Sequence, residues 1–315
     1  MCSKLVHFIQ GMKTAAIILI FGSFAILGIA EYTVPAQIDD RGNWYVNVTI
    51  PSLSRDLRTV LIMSDSDWIP SRGGAELSLS LRTGETPHHS VFSYTSRPLE
   101  GLGSSRAAFL GLDPSSPMLR TAGSVALIRS PRSGHEGHLV IESTLSSFNS
   151  SCVPGSLMRR YFESSGRVSY TGARLKIGDL SESVNDISLH NGPSAISFLP
   201  YDFFVAIVDY LVRFGADRTT RYDRFSNCTR EVIDLVPPIE LSERNFGTIK
   251  IFSDEYIELL PGGICRIAAL VLGPGTRPNH FAVNLLKLQN LNIRISSNGI
   301  VEFCDTKYDD PLTSG

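Results

Sequence analysis

The chain has 315 residues, 43% of them hydrophobic, with 26 Gly, 17 Pro and a formal net charge of −2. That length and apolar content exclude a disordered tail, and a near-neutral charge with no block of like charges excludes a nucleic-acid footprint or a polybasic membrane patch. Charged residues are sparse at 19%, and Gly and Pro punctuate many short Val, Ile, Leu and Phe runs, as in a mainly β protein with frequent turns.

Lys4 and Lys13 precede an unbroken apolar and small-residue run from Ala15 to Ala30, closing in Gly28-Ile29-Ala30 before Glu31. The run falls short of the ~20 residues of a comfortable membrane span, and its small-residue end fits a cleavage site, so residues 1–30 read as a signal peptide and the protein as secreted. An uncleaved signal anchor is the competing reading. Removing the segment takes Cys2 and leaves Cys152, Cys228, Cys265 and Cys304, an even set that permits three pairings and has no Cys-x-x-Cys spacing. In a secreted chain Asn47, Asn149 and Asn227, each in an Asn-x-Ser/Thr context, are glycosylation acceptors.

In chain order, Asn43 to Ile50 alternates like a half-buried strand and stops at Pro51. Arg58 to Met63 reads as the next strand and leads into Ser64-Asp65-Ser66-Asp67-Trp68-Ile69-Pro70-Ser71. A short hairpin follows, Leu77 to Leu81 turning at Thr83-Gly84 toward Val91 to Tyr94. Then come Ala107-Ala108-Phe109-Leu110-Gly111-Leu112, a short helix near Pro117 to Arg120, and strands at Val125 to Ile128 and His138 to Glu142 around a loop from Ser130 to Gly137. Arg160 through Asp179 resembles a crossover strand between two lobes, 31–165 and 166–315, with the boundary near Gly166. After Ser188-Leu189-His190-Asn191-Gly192-Pro193-Ser194, Phe203 to Phe214 repeats apolar residues at helical spacing. The last strands are Asn290 to Ile295 and Gly299 to Phe303.

This ordered set resembles the pepsin-like aspartic proteases over roughly Asn43 to Phe303, densely in the second half and patchily in the first. The segment at Asp65 to Ser71 is similar to an Asp-Thr-Gly turn followed by Trp-Val-Pro-Ser, and that at His190 to Tyr201 to an Asp-Ser-Gly-Thr-Ser loop leading into a helix. Leu199-Pro200-Tyr201 and the elements after it resemble the plant branch that includes xylanase-inhibitor-like proteins and extracellular dermal glycoproteins. The resemblance implies a mainly β, bilobal fold with a central cleft, the two loops facing each other across it. It also implies that Cys228 pairs with Cys265 and that Cys152 and Cys304 bridge the region between lobes. An unrelated secreted β-sandwich would show similar alternation and turns.

The family's chemistry needs two carboxylates about 3 Å apart sharing one proton. Here the second acid position holds His190, although Gly192 is kept, and in the first loop no glycine follows Asp65 or Asp67 to let the backbone approach its partner. An imidazole cannot share that acidic proton and is largely cationic near pH 5. A displaced dyad of Asp65 and Asp186 would require both loops to change register. Tyr94 stands where a flap tyrosine could lie, but reads better as a core tyrosine.

Other candidates read as surface. His135-Glu136-Gly137-His138 lacks the i, i+4 histidines of a helical zinc site, His88-His89 reads as exposed and Arg159-Arg160 as a solvated face, and no Gly-x-Ser-x-Gly elbow supports a serine hydrolase. The resemblance therefore implies a secreted, catalytically inactive protein with no cofactor or metal. Its expected partner is an extracellular protein, in the family's case a microbial glycoside hydrolase, with no nucleic acid and no membrane after signal cleavage. The family's inhibitors insert a basic side chain into the enzyme's carboxylate-lined cleft. The segment after Phe303 has Lys307 but no histidine, leaving Arg277, His280 and Lys307 as replacements. The alternative is a divergent aspartic endopeptidase.

Overall fold

A computed structural model describes residues 31–39, 42–50, 55–62, 77–82, 91–96, 108–130, 135–162, 173–184, 186–189, 195–242, 247–271 and 280–307. The first half contributes β1 (Tyr32–Ile38), β2 (Trp44–Ile50), β3 (Arg55–Ile62), β4 (Leu77–Arg82), β5 (Val91–Ser96), β6 (Ala108–Gly111), β7 (Ser124–Arg129), β8 (Glu136–Ile141) and β9 (Met158–Tyr161). In the second half are β10 (Ala173–Ile177), β11 (Leu180–Val184), β12 (Asp186–Leu189), β13 (Ile196–Leu199), β14 (Asp217–Arg218), β15 (Arg224–Ser226), β16 (Ile239–Ser242) and β17 (Thr248–Ile251). It closes with β18 (Ile257–Leu260), β19 (Ile264–Ile267), β20 (Leu270–Val271), β21 (His280–Val283), β22 (Leu291–Ser296) and β23 (Ile300–Asp305). Of the crossover expected over Arg160 to Asp179, the start falls at the end of β9 and the last part forms β10, while residues 163–172, with the boundary near Gly166, lie outside the described residues.

The largest sheet runs β5-β4-β2-β1-β8-β7-β22-β23-β9, with β3 beside β2 and β6 beside β3. The chain's last strands thus sit inside a sheet otherwise built by its first half, between β7 and β9. Three four-stranded sheets, β11-β10-β16-β17, β12-β21-β13-β20 and β14-β15-β19-β18, belong to the second half. One contiguous apolar cluster, including Trp44, Leu110, Phe203, Tyr256, Phe281 and Phe303, runs through both halves. The helix Tyr201–Arg213 buries Phe203, Phe204, Ile207, Val208 and Leu211, a stripe at i, i+1, i+4, i+5 and i+8 that faces the core, with Asp202 in its first turn and Arg213 in its last.

β1 begins well before the strand expected at Asn43, because Pro35 disguises it. Val34, Ala36 and Ile38 point inward and alternate with exposed Thr33, Pro35 and Gln37. Pro35 pairs with His138 of β8, but β2 follows β1 only at Gln37 and Ile38, so the proline breaks no ladder on that side. The hairpin between β1 and β2 is closed by Asp39, whose carboxylate accepts the Asn43 backbone N–H at 2.7 Å, the Asn43 amide at 2.8 Å and the Tyr45 hydroxyl at 3.1 Å.

His135-Glu136-Gly137-His138 is not the loop that its composition suggested: Glu136 to Ile141 form β8, with Glu136 and His138 exposed on it. Gly137 is required by packing, because a Cβ there would lie 2.6 Å from both the Trp44 ring and the Ile128 carbonyl oxygen. Gly137→Ala is expected to cost about 1 to 3 kcal/mol by overpacking, read as a lower urea midpoint at unchanged m-value with a shift in indole fluorescence.

Of the Arg159-Arg160 pair, Arg159 is exposed as expected of a solvated face, and Arg160 departs from it. Arg160 is buried, and its guanidinium donates to the Arg159 carbonyl at 2.5 Å. Arg159 donates to Oε1 of Glu302 at 2.8 and 2.5 Å, and Arg294 donates to Oε2 of the same carboxylate at 2.5 Å. Glu302 lies directly opposite Arg159 on β9 and Arg294 on β22, and its side chain is wholly buried. Across this sheet a fully enclosed carboxylate is held between two guanidiniums, as burial of a charge demands.

Candidate functional site

Each half presents the same device at the place where the sequence expects a site loop. β3 runs parallel to β6 with Ile62 opposite Gly111, and Leu112 N–H donates to the Ile62 carbonyl at 2.8 Å. β12 runs parallel to β21 with Leu189 opposite Val283, β13 returns antiparallel along the other side of β21, and Asn284 N–H donates to the Ala195 carbonyl at 2.8 Å. Parallel neighbours need a long crossover, so in both halves the strand entering the loop is braced by a strand from far along the chain. Asp65 and Asp67, and His190 through Ser194, lie outside the described residues, so the structure gives the mounts of the two loops and not the loops themselves.

The two mounts share a cavity of about 210 Å³. Val60, Leu61, Ile62 and Phe109 wall it from the first half, Asn284, Leu286 and Lys287 from the second, and Gly42, Asn43 and Trp44 complete it. Apart from Asn43, Asn284 and Lys287 its described walls are apolar. Gly42, at φ +72°, turns the chain tightly here, and a Cβ on it would stand 3.0 Å from the Lys287 carbonyl oxygen. Beneath the cavity Trp44 Nε1 donates to the Leu286 carbonyl at 2.9 Å, and Arg129, stacked 4.9 Å over the Trp44 ring, donates to the Leu288 carbonyl at 2.7 Å. The short 3-10 turn Leu285–Lys287 is thereby held from the first half by an indole and a guanidinium. Tyr45, close by, has its hydroxyl pKa raised by burial and by its bond to the Asp39 carboxylate.

The remaining sequence candidates are scattered. Asp186 opens β12 opposite His280, at the far end of that strand from Leu189. Arg277 and His88-His89 lie outside the described residues, the Tyr94 backbone lies in β5, and Lys307 is exposed beyond the Cys152–Thr306 bridge. Asn47 is exposed on β2, Asn149 on the helix Leu145–Ser150, and Asn227, in a left-handed conformation at φ 54°, donates its amide to the Gly215 carbonyl at 3.1 Å. Cys228 is bonded to Cys265 and Cys152 to Cys304, the latter fastening the end of the helix Leu145–Ser150 to β23.

Sequence reasoning passed over Arg129 and Glu302, both buried charges that tie distant segments of the chain together. Glu302 had a signal, since it interrupts the apolar run Ile300-Val301-Glu302-Phe303 at a position where an unpaired acid would be costly. A larger cavity of about 530 Å³, lined by Asp234, Val236, Pro238 and residues 252–255 together with Gln289 and Asn290, shares no lining residue with the cavity between the loop mounts.

The mainly β, two-lobed arrangement with a parallel-braced loop mount in each half is the pepsin-like fold. Conglutin gamma, a basic 7S globulin from lupine seeds, shares it with a TM-score of 0.60 at 12% identity, over 88% of this chain and 95% of its own. Basic 7S globulin from soybean does so with a TM-score of 0.59 at 12% identity, over 89% of this chain and 97% of its own. The sequence matches no protein-family model and no curated protein.

Proposed function

We propose that this is an exported, catalytically silent aspartic-protease-like protein that acts by binding another extracellular protein, with a microbial glycoside hydrolase as the partner class. The observation that carries the reading is a pepsin-like mount in each half combined with His190 in the acid position and no glycine after Asp65 or Asp67. Two buried disulfides accord with an oxidising, exported environment. Lys307, exposed next to the last strand, has the charge needed to enter a cleft lined by two carboxylates.

The purified mature protein is expected to show no pepstatin-sensitive proteolysis between roughly pH 3 and 6, the range in which a shared-proton dyad works. His190→Asp alone is expected to leave it inactive, since one carboxylate without a positioned partner cannot hold the shared proton. Capture from culture filtrates of plant-infecting microbes should enrich a glycoside hydrolase whose activity falls on titration with the protein and recovers when the protein is Lys307→Glu.

The second reading, a divergent endopeptidase using Asp65 and Asp186, meets a distance argument. Asp186 and Leu189 stand at opposite ends of β12, about 10 Å apart along an extended strand, so Asp186 lies away from the end that leads into the loop, whereas the dyad needs its carboxylates at about 3 Å. Acid proteolysis by the unaltered chain, abolished by Asp65→Asn, would establish that reading and remove ours.

A further inference from the structure

The hairpin of β14 and β15 makes a second surface, which shares no residue with the loop mounts. After the helix Tyr201–Arg213 the chain pairs Asp217 with Ser226 and Arg218 with Phe225, and turns between them through residues 219–224. Thr219 to Tyr222 are exposed, yet the turn is fixed by its own bonds. The Thr219 hydroxyl donates to the Arg224 carbonyl at 2.9 Å and accepts the Arg221 N–H at 3.1 Å, and the Arg224 N–H donates to the Arg221 carbonyl at 3.2 Å. From β19 the Ile267 N–H donates to the Asp223 carbonyl at 3.0 Å, and just beyond the hairpin Cys228 is bonded to Cys265 of the same strand. A tip already held in one form loses little freedom on meeting a partner.

Its side chains are of the kinds that concentrate binding energy, since a rigid ring and a planar guanidinium cover much area at little cost in entropy. Tyr222 is 72% exposed and rests edge-on against Phe204, ring centroids 6.1 Å apart, while Tyr201, three residues before Phe204 on the same helix, is exposed too. Beside these rings the charges are mismatched. Arg224 stands directly opposite Arg266 on β19, and Arg266 is ion-paired to Glu258 opposite it on β18. Arg221 is paired with Asp223 at 3.3 Å, and Arg218 reaches Asp209 at 3.5 Å. Arg224 has no carboxylate partner among the described residues, and its buried Nε, like that of Arg266, donates no hydrogen bond. Like charges directly opposite on neighbouring strands weaken a sheet. Over residues 217–226 three arginines stand against two aspartates, in a chain whose net charge is −2.

We propose that this hairpin is a preformed docking tip for an acidic segment of a partner protein, whose carboxylate pairs with Arg224 and relieves its opposition to Arg266 while an adjoining apolar side chain lies on Tyr222. A carboxylate matches the fork of a guanidinium, and the ring beside it adds apolar area that only a segment with both kinds of side chain uses. A charged sugar chain fits less well, because a polyanion is drawn to a run of cations, and here each neighbouring arginine already has an acid of its own. The assignment depends neither on Lys307 nor on a glycoside hydrolase as partner.

A random-peptide library, depleted on the protein carrying both Tyr222→Ala and Arg224→Glu and then selected on the unaltered protein, tests this. Arg224→Glu sets an acid opposite Arg266, so the fold should be kept. Peptides that survive depletion should carry Asp or Glu beside an apolar residue, and should bind the unaltered protein about tenfold or more tighter than either single variant. An empty selection, survivors without acidic residues, or survivors that bind Arg224→Glu as well as the unaltered protein overturn the proposal. Retention on heparin that Arg224→Glu abolishes, with no surviving peptide, overturns it in favour of a polyanionic sugar, and self-association that the same change abolishes overturns it in favour of a second copy of the chain. Should the double variant fail to fold, depletion on Arg221→Glu with Tyr222→Ala, both at the exposed tip, decides in the same way.

Discussion

Changing both Cys152 and Cys304 to alanine is expected to lower the free energy of unfolding by about 5 kcal/mol, a large share of the stability of an ordinary domain. The bridge spans 152 residues, and the loop-closure entropy it removes from the unfolded chain grows with that length. The Cys228–Cys265 bridge spans only 37 residues, and its removal should cost less, about 4 kcal/mol. Denaturant unfolding of the two double variants under oxidising conditions gives both values. A loss below about 1 kcal/mol for the first pair would mean that the sheet already confines these segments in the unfolded ensemble.

The second large effect belongs to Glu302. Glu302→Ala leaves Arg294, whose side chain is 14% exposed, with its charge uncompensated and its remaining donors directed at Ser143 and Ser296. The expected loss is about 3 kcal/mol or more, because removing one partner of a buried pair strands the other. Arg159 contributes less, since its side chain is 45% exposed and can turn to water. Replacing Glu302 and Arg294 together with leucine should recover most of the loss, and a double-mutant cycle that stays additive would show that the two side chains do not interact energetically.

Much of the fold was legible because its strands obey simple patterns. β2, β7, β22 and β23 alternate or run continuously apolar, and the helix Tyr201–Arg213 carries its stripe openly. β1 was hidden by Pro35, and the start of β8 by its Gly and His content, because composition does not reveal which edge of a strand goes unpaired or which ring fills the space above a glycine. For the region between the halves, the sequence pointed to the loops but not to the charges behind them. The roles of Glu302 and Arg129 depend on residues 143 and 157 positions away, and no local spacing encodes such partners. The disulfide partners were reached only through the resemblance, since four cysteines alone admit three arrangements.

The insertion of β22 and β23 between β7 and β9 has a bearing on how the protein is made. During synthesis β7 emerges with one edge bare and remains so until more than 150 further residues have followed, because its neighbour on that side begins at Leu291. Over that interval the first half is an open template for any passing strand, the condition that favours aggregation and mispairing. The nascent chain must therefore be shielded until its final strands arrive. Cys152 likewise waits for Cys304, 152 residues further on, so the bond that fastens β23 to the helix Leu145–Ser150 can form only after that strand has been made.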